Sequence, residues 1–220
     1  MKNLPLAFLI CIFTFGCASQ KTTTANDPKN FNNIAVISVM DAPTNPLTNT
    51  DQVITQETLV SLKSSNKNSF ELQVDSKIVT AEREQALALK DIYLGNRYQT
   101  LEKYFLDQAS AQNAEYLLVI HPSPHPMFAS YTPGYGLYCA RSEAKAELQG
   151  YFLLSSELWD VKKQEVVRRV QLSPTDLSFN TGKKCTNVAV SKNLIDSYKE
   201  NFTGLAKKSS GLILSRTGIL

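Results

Sequence analysis

The stretch NIAVISV (33–39) decides how the first half of this 220-residue chain folds. It is short, rich in β-branched residues and apolar almost throughout, which is the pattern of a strand that is covered on both faces. A strand of that kind normally belongs to a parallel sheet whose strands are joined by helices. The stretch therefore predicts an α/β layer, in which the neighbouring segments alternate between helices and strands.

The segments that follow fit this alternation. After a loop with two prolines, Thr50 or Asp51 is placed to cap a helix. The segment SFELQVDS (69–76) alternates apolar and polar residues, which predicts a second strand. Thr80 is placed to cap another helix, which is rich in Ala, Leu and Glu and should end near Gly95.

One more helix and one more strand complete the first half. The segment YQTLEKYFLDQASAQ (98–112) repeats its apolar residues at helical spacing. The segment EYLLVIHP (115–122) is apolar almost throughout and is stopped by a proline, so it predicts a third strand. Strands that alternate with helices over this span favour parallel pairing.

The second half changes character. The segment LWDVKKQEVVRRVQL (158–172) has a turn-like centre between two β-rich arms, so we predict a long antiparallel hairpin of 145–160 with 164–172 at the sheet edge. The segment 192–214 keeps a spacing of three and four between apolar residues, which predicts an amphipathic helix that closes the domain. The expected fold class is therefore α/β (α+β), with a single mixed sheet whose first half is parallel.

The first residues carry a targeting pattern. Lys2 precedes an apolar run (4–15) that is about half as long as a membrane-spanning helix, and the small Gly16 stands directly before Cys17. A charged start, a short apolar region and a small residue before the cleavage point are typical of a signal peptide. The pattern resembles the bacterial lipoprotein signal, which implies cleavage before Cys17 and attachment of a diacylglycerol and acyl chains to that residue.

The same resemblance divides the chain and implies a location. It implies a signal peptide over 1–16, a lipidated cysteine with a flexible tether over 17–30, and a single α/β domain over 31–220. Residue 18 is Ala and not Asp, and the resemblance then implies an anchor in the outer membrane that faces the periplasm. Ordinary secretion, with Cys17 discarded or left free, is the alternative.

Composition and motifs narrow the possible functions. The formal net charge of +3 includes Lys2, so the chain after residue 16 carries 3 − 1 = +2, which is too weak a bias to predict nucleic-acid binding. No second apolar run approaches the length of a membrane span. The sequence contains no glycine-rich phosphate loop, and neither Gly-x-Ser-x-Gly nor Ser-x-x-Lys occurs in a supporting context. We therefore expect no cofactor and no catalytic activity.

The cysteines point to an oxidising compartment. One of the four leaves with the signal peptide and Cys17 is taken by the lipid, so Cys139 and Cys185 remain as a pair. In an oxidising compartment such a pair predicts a disulfide, which here closes a loop of about 46 residues. A zinc site that adds His121 and His125 to the two cysteines is the alternative, but the spacing lacks the close cysteine pairs of structural zinc sites.

The segment HPSPHPMFASYTPGYGLYC (121–139) combines four prolines with several large side chains. Prolines lower the entropy that a segment loses on docking, and large aromatic side chains carry much of the energy of protein interfaces. We therefore predict that this segment contacts a partner. The predicted contact residues are Met127, Phe128, Tyr131, Tyr135 and Tyr138. In the alternative interpretation these side chains pack over the sheet as part of the core.

The predicted order of elements, together with the signal and Cys17, resembles a group of extracytoplasmic lipoproteins and related domains. NIAVISV matches the opening strand of that group, and AEYLLVIHP (114–122) is similar to the start of a later strand. LWDVKKQEVV (158–167) is similar to its hairpin motif, although Lys163 and Gln164 replace the usual Thr-Gly. The group includes the curli secretion protein CsgG, the penicillin-binding protein activator LpoB and the N-terminal domain of TolB. Its members share a scaffold and differ in function, so the resemblance implies a fold and an envelope location.

Two functional hypotheses follow. The first is a lipid-anchored, non-catalytic protein of the cell envelope that binds an envelope protein or associates with itself. The second is a subunit of an oligomeric secretion or pore complex similar to CsgG, in which hairpins from many copies enter the membrane. The basic pairs Lys162-Lys163 and Arg168-Arg169 in the predicted hairpin argue against its full insertion.

Overall fold

Strand β1 (Ile34–Ser38) is buried at all five positions, as its apolar sequence predicts. Ile34 and Val36 belong to one hydrophobic cluster, and Ala35 and Ile37 belong to another on the opposite face of the sheet. The computed structural model describes residues 31–40, 49–88, 99–123, 134–141, 146–185 and 192–220. The strand is therefore covered on both faces within a layered α/β arrangement.

The described residues form eight strands and five helices. In chain order after β1 they are α1 (Thr50–Ser64), β2 (Ser69–Glu71), α2 (Ser76–Ala88), α3 (Gln99–Ala111), β3 (Tyr116–Pro122), β4 (Tyr135–Arg141), β5 (Ala146–Phe152), β6 (Leu154–Asp160), β7 (Glu165–Leu172), β8 (Ser178–Lys184), α4 (Lys192–Asp196) and α5 (Lys199–Thr217). The predicted α/β (α+β) class is confirmed.

The larger sheet has five strands in the order β2-β1-β3-β6-β7. Strand β1 pairs in parallel with β2 and β3, whereas β6 pairs antiparallel with both β3 and β7. Helices α1 and α5 pack with one face of the sheet, and α2 and α3 pack with the other. The predicted mixed sheet with a parallel first half is confirmed.

The expectation of a single sheet needs correction, because β4, β5 and β8 form a second, antiparallel sheet. Neither β4, most of which lies in the predicted contact segment 121–139, nor β8 was predicted as a strand. Strand β8 is mostly exposed and contains few apolar residues, so it carries no clear alternating pattern. Its pairing with β5 and the packing of Phe179 against the core hold it in place.

The long hairpin predicted over 145–160 and 164–172 is only partly correct. Leu153 separates β5 from β6, and these two strands belong to different sheets. The hairpin that exists consists of β6 and β7, and β7 is an outer strand of the larger sheet, as predicted. A register shift lies between Leu158 and Trp159 along this pair, which is a β-bulge.

Several predicted helix boundaries also need correction. The predicted closing helix over 192–214 is present as two helices, α4 and α5, because the chain turns at residues 197 and 198. Helix α2 begins at Ser76 and not after Thr80, and its predicted end near Gly95 lies outside the described residues.

Helix α1 follows Asn49, which adopts a left-handed backbone conformation (φ 77°) and makes no side-chain cap. Neither Thr50 nor Asp51 therefore acts as the predicted helix cap.

The first prediction concerns two glycines on the exposed side of α5. A Cβ added at Gly204 or Gly211 would meet no atom within 4 Å. Glycine within a helix costs about 0.5–1 kcal/mol relative to alanine, because it loses more backbone freedom on folding. We expect Gly204→Ala and Gly211→Ala each to raise the free energy of unfolding by about that amount in urea titrations.

Gly150→Ala provides a matched control with the opposite sign. A Cβ at this position would lie 2.2 Å from two ring carbons of Phe179, so the ring must move and stability should fall. If the two substitutions in α5 lowered stability as well, the outer side of this helix would have to be covered in the folded protein. That result would contradict its exposed position here.

Candidate functional site

The predicted disulfide between Cys139 and Cys185 is present, with a Cα–Cα distance of 5.8 Å. Cys139 lies in β4, and Cys185 directly follows β8 and donates its N–H to the carbonyl of Ala146 at 2.9 Å. The bond therefore joins the two outer strands of the three-stranded sheet on either side of β5. Both sulfurs are used in this bond, so the alternative zinc site has no thiolate ligand from either residue.

Tyr135 was predicted as a partner contact, and its position corrects that assignment. Its residue exposure is 4%, and its ring stacks on Phe152 with a centroid distance of 5.2 Å. A second ring, that of Phe202 on α5, lies 5.5 Å away. For Tyr135 the structure thus matches the alternative in which the aromatic side chains pack into the core.

Tyr138 occupies an intermediate position. It is half-buried, its hydroxyl donates a hydrogen bond to Oε1 of Gln149 at 2.7 Å, and its ring meets Tyr151 edge to face. Its ring is therefore held in place by the neighbouring strand β5. The remaining predicted contacts, and the predicted lipidation site, lie outside the described residues. They are Met127, Phe128, Tyr131 and Cys17.

Ser123 and Gly134, which flank residues 124–133 of the proline-rich segment, meet at one edge of the larger sheet. Ser123 donates its N–H to the carbonyl of Leu153, and Leu153 donates its own N–H to the carbonyl of Gly134. Gly134 has φ 93°, and a Cβ there would lie 3.2 Å from Cε of Met40 and 3.3 Å from Cβ of Pro122. We call this edge, defined by Met40, Pro122 and Gly134, the loop edge. The described residues on both sides of the segment 124–133 therefore lie at this edge.

The chain enters the domain at the other edge. Phe31 lies two residues before Asn33, whose carbonyl accepts hydrogen bonds from the N–H groups of Glu115 and Tyr116. Val161, in the turn between β6 and β7, donates to the carbonyl of Glu115. We call this edge, defined by Phe31, Asn33, Glu115 and Val161, the entry edge. Phe31 and the loop edge are therefore found at opposite ends of the parallel strands.

The loop edge coincides with the usual ligand position of α/β sheets. Helix α1 covers one face and α2 and α3 cover the other, so the chain reverses its winding between β1 and β3, where such sheets commonly bind ligands. Here the Asp51 carboxylate accepts hydrogen bonds from the Ser38 hydroxyl, at 3.0 Å, and from the Met40 N–H. Gly134 packs on Met40 and Pro122 at the same place. The protein's own residues thus occupy this position.

Sequence analysis did not identify the roles of Asp51 and Gly134. Asp51 stands at a common helix-capping position, and its contact with the end of β1 depends on tertiary packing. The sequence does contain a signal for Gly134, because a glycine after Pro133 indicates a backbone conformation that other residues rarely adopt.

A group of charged side chains lies beside α3. The guanidinium Nε of Arg169 contacts Oε1 of Glu157 at 2.8 Å. Partial burial raises the pKa of the Glu102 carboxyl, the charge of Glu157 raises that pKa further, and Arg169 lowers it. In the described part of the chain, no group of three or more His, Cys, Asp and Glu side chains is arranged to hold a metal ion.

The raised pKa of Glu102 gives the second prediction. A carboxyl whose pKa is higher in the folded than in the unfolded state lowers the free energy of unfolding when it ionises. This loss of stability is absent below the pKa of the unfolded state, which is about 4.3, and it grows as the pH rises through the pKa of the folded state. Glu102→Gln removes the ionisation. We expect this variant to be more stable than the parent protein at pH 7 and equally stable near pH 3, as measured by urea unfolding.

Glu115→Gln is a matched control, because Glu115 is exposed. Its effect on stability should be small at both pH values. A Glu102→Gln variant that is less stable than the parent protein at pH 7 would contradict the prediction, because the carboxylate would then contribute a net favourable interaction.

His121 lies in β3, and its Nδ1 is 3.1 Å from the carbonyl oxygen of Pro122. His125 lies outside the described residues.

None of the described helices combines the length and the apolar composition that crossing a membrane requires.

Comparisons with known proteins give a fold likeness only. No model of a protein family matches the sequence, and no curated protein matches it. The PelC dodecamer from Paraburkholderia phytofirmans is 12% identical and matches over 87% of this chain and 90% of that chain, with a TM-score of 0.41. Lipoprotein GNA1162 from Neisseria meningitidis is 12% identical over 77% of this chain and 96% of that chain, with a TM-score of 0.38.

The hypothetical protein CT253 from Chlamydia trachomatis is 9% identical over 84% of this chain and 99% of that chain, with a TM-score of 0.35. Likeness at this level assigns neither a family nor a function, so no functional residue is transferred from these structures. The resemblance to the group of CsgG, LpoB and the TolB N-terminal domain stays a prediction.

Proposed function

We propose that this chain is a lipid-anchored, non-catalytic binding or assembly protein of the bacterial cell envelope, held in the outer membrane and facing the periplasm. The observation that carries the proposal is the disulfide between Cys139 and Cys185 in a chain whose Cys17 follows a lipoprotein-like signal. Disulfides persist in oxidising compartments such as the periplasm, and they are rare in the bacterial cytoplasm. The two features therefore support the same location.

In this proposal the lipid, and not a helix, attaches the protein to the membrane. A diacylglycerol and a further acyl chain on Cys17 would provide the more than one chain that stable anchoring needs. The segment 18–30, which is rich in polar residues, would then separate the membrane from the first described strand.

The proposed partner contact is the segment 124–133, whose described neighbours Ser123 and Gly134 lie at the loop edge. Met127, Phe128 and Tyr131 are its large side chains, and side chains of this kind dominate the energy of many interfaces. Tyr135 and Tyr138 would support the segment from β4, through the core and through Gln149 respectively.

Mass spectrometry of the native protein tests the location. We expect a mature N-terminus at Cys17 that carries the mass of a diacylglycerol and an acyl chain, and a peptide pair linked through Cys139 and Cys185. A Cys17→Ser variant should remain unprocessed and unacylated. An unacylated native protein with two free thiols would contradict the proposal.

Crosslinking in intact cells tests the contact. A photoreactive residue at Tyr131 should form crosslinks to a defined envelope protein or to a second copy of this chain. The same residue at Lys63, an exposed position in α1, is the control and should not give those products. Equal products from both positions would argue against a specific contact at the segment. A large ring of uniform stoichiometry after detergent extraction would favour the alternative of a secretion or pore subunit.

A further inference from the structure

A small surface cleft lies between the beginnings of α1 and α5. Its volume is about 20 Å³, which exceeds the roughly 10–15 Å³ that a single water molecule needs. The residues that line it fall between Asn49 and Val53 at the start of α1, and between Lys199 and Ala206 at the start of α5. Both helices therefore begin at this cleft.

The two helices run side by side away from the cleft. Oγ of Ser210 donates a hydrogen bond to the carbonyl oxygen of Ile54 at 3.2 Å, and Nζ of Lys207 lies 3.2 Å from Oε1 of Glu57. Residues further along α1 thus meet residues further along α5. The first turn of a helix carries the positive end of its dipole and leaves N–H groups that have no acceptor within the helix. Two such positive ends meet at the cleft.

Side chains do not cap these two helix ends. Asn49 precedes α1 and Tyr198 precedes α5, and neither makes a side-chain cap. The acidic residues of the two first turns do not line the cleft either. The Asp51 carboxylate is bonded to the end of β1, and Glu200 is exposed. The positive helix ends are therefore not neutralised from within the cleft by the residues that line it.

Thr50 gives independent evidence for a ligand. It is only 6% exposed and lines the cleft, and its hydroxyl has no hydrogen-bond partner among the described residues. The hydroxyl of Thr203, which also lines the cleft, donates to the carbonyl of Lys199 at 2.9 Å. The described side-chain atoms that are fully enclosed and lack a partner belong to other residues, so the Thr50 oxygen is reached from the cleft. Buried hydroxyls are normally hydrogen-bonded, and a bound group would supply the missing partner.

Lys199 adds a full positive charge at the rim of the cleft. Its side chain is exposed and makes no ion pair with the described residues. We propose that the cleft binds one phosphate group, which accepts hydrogen bonds from the N–H groups of the two first turns and from the Thr50 hydroxyl, and pairs with the charge of Lys199. The small volume favours a single phosphate over a larger ligand. The site depends neither on the lipid anchor nor on the proposed contact segment.

Amide chemical shifts test this site in the full-length protein. Inorganic phosphate, titrated at constant ionic strength against chloride, should shift the amide signals of Thr50 and Lys199 to saturation, with a dissociation constant on the order of 1 mM. Thr50→Val keeps the shape of the side chain and removes the hydroxyl, so binding should weaken on the order of tenfold. Lys199→Gln should weaken it by about threefold to fivefold. Lys63→Gln, at the other end of α1, is the matched control and should leave binding unchanged.

A second titration distinguishes a free phosphate ion from the phosphate of a lipid headgroup. The probe is a short-chain phosphatidic acid below its micelle concentration. Tighter binding than that of inorganic phosphate, with the same dependence on Thr50 and Lys199, supports the site and identifies a headgroup as the ligand. Equal or weaker binding supports the site with free phosphate as the ligand.

Two results would overturn the proposal. The first is a phosphate titration without saturable shifts at the starts of α1 and α5, because water alone would then occupy the cleft. The second is a loss of binding in Lys63→Gln as large as that in Lys199→Gln, because non-specific charge attraction would explain both. If Thr50→Val does not fold, Lys199→Gln and its control still decide between these outcomes.

Discussion

Replacing Cys139 and Cys185 together with serine is expected to lower the free energy of unfolding by about 3–4 kcal/mol. The disulfide closes a loop of 46 residues, and opening it restores conformational freedom to the unfolded chain. The loss should also loosen the three-stranded sheet, because the bond joins its two outer strands. Urea titration of both proteins, without reductant, measures the difference.

Reduction of the parent protein is the control for this prediction. Adding a reductant should destabilise the parent to the level of the double-serine variant and leave that variant unchanged. Equal stability of the two oxidised proteins would show that the bond does not constrain the unfolded chain, and it would remove the physical reason for the predicted loss.

Tyr135→Ala is expected to lower the free energy of unfolding by about 3–4 kcal/mol. The ring is buried between Phe152 and Phe202, so its removal leaves a cavity and loses the stacking contacts. The measurement is again urea unfolding, combined with crosslinking from Tyr131 in the same background.

Two variants show which part of the Tyr135 effect comes from the core. Tyr135→Phe keeps the ring and should cost much less than Tyr135→Ala. Tyr138→Ala should also cost less, since Tyr138 is half-buried and its hydroxyl is hydrogen-bonded to Gln149. A Tyr135→Ala variant of nearly normal stability that has lost its crosslinks would instead make Tyr135 a contact residue.

The apolar strands could be predicted from the sequence because burial on both faces leaves no polar positions. Strand β1 and strand β3 are such cases, and helix α3 is within one residue of its predicted bounds at each end. The disulfide could be predicted from cysteine parity and compartment alone. In each case a local or compositional pattern determines the outcome.

The second sheet could not be predicted because its strands depend on contacts far along the chain. Strand β8 has mostly exposed residues, and the ring of Phe179 lies against Gly150, where any larger side chain would clash. The transfer of the chain from one sheet to the other depends on Leu153, a single buried residue within an apolar run. Nothing in the sequence around it marks an end of a strand.

The candidate site, too, could be predicted only in part from the sequence. Tyr135 and Tyr138 have the same residue type and stand three positions apart, so the pattern assigned them one role. In the strand they point to opposite faces, and only Tyr135 reaches the core. The sequence identified an aromatic segment correctly but could not tell which of these two rings is buried.

The bulge in the β6–β7 pair has a consequence for how neighbouring molecules behave. Strand β7 is an outer strand, and a regular outer strand offers a template to which a strand of another molecule can add. The bulge interrupts that template, and Glu165 and Arg169 project exposed charges along it. Crowded copies on one surface would therefore resist growing into fibrous aggregates through this strand.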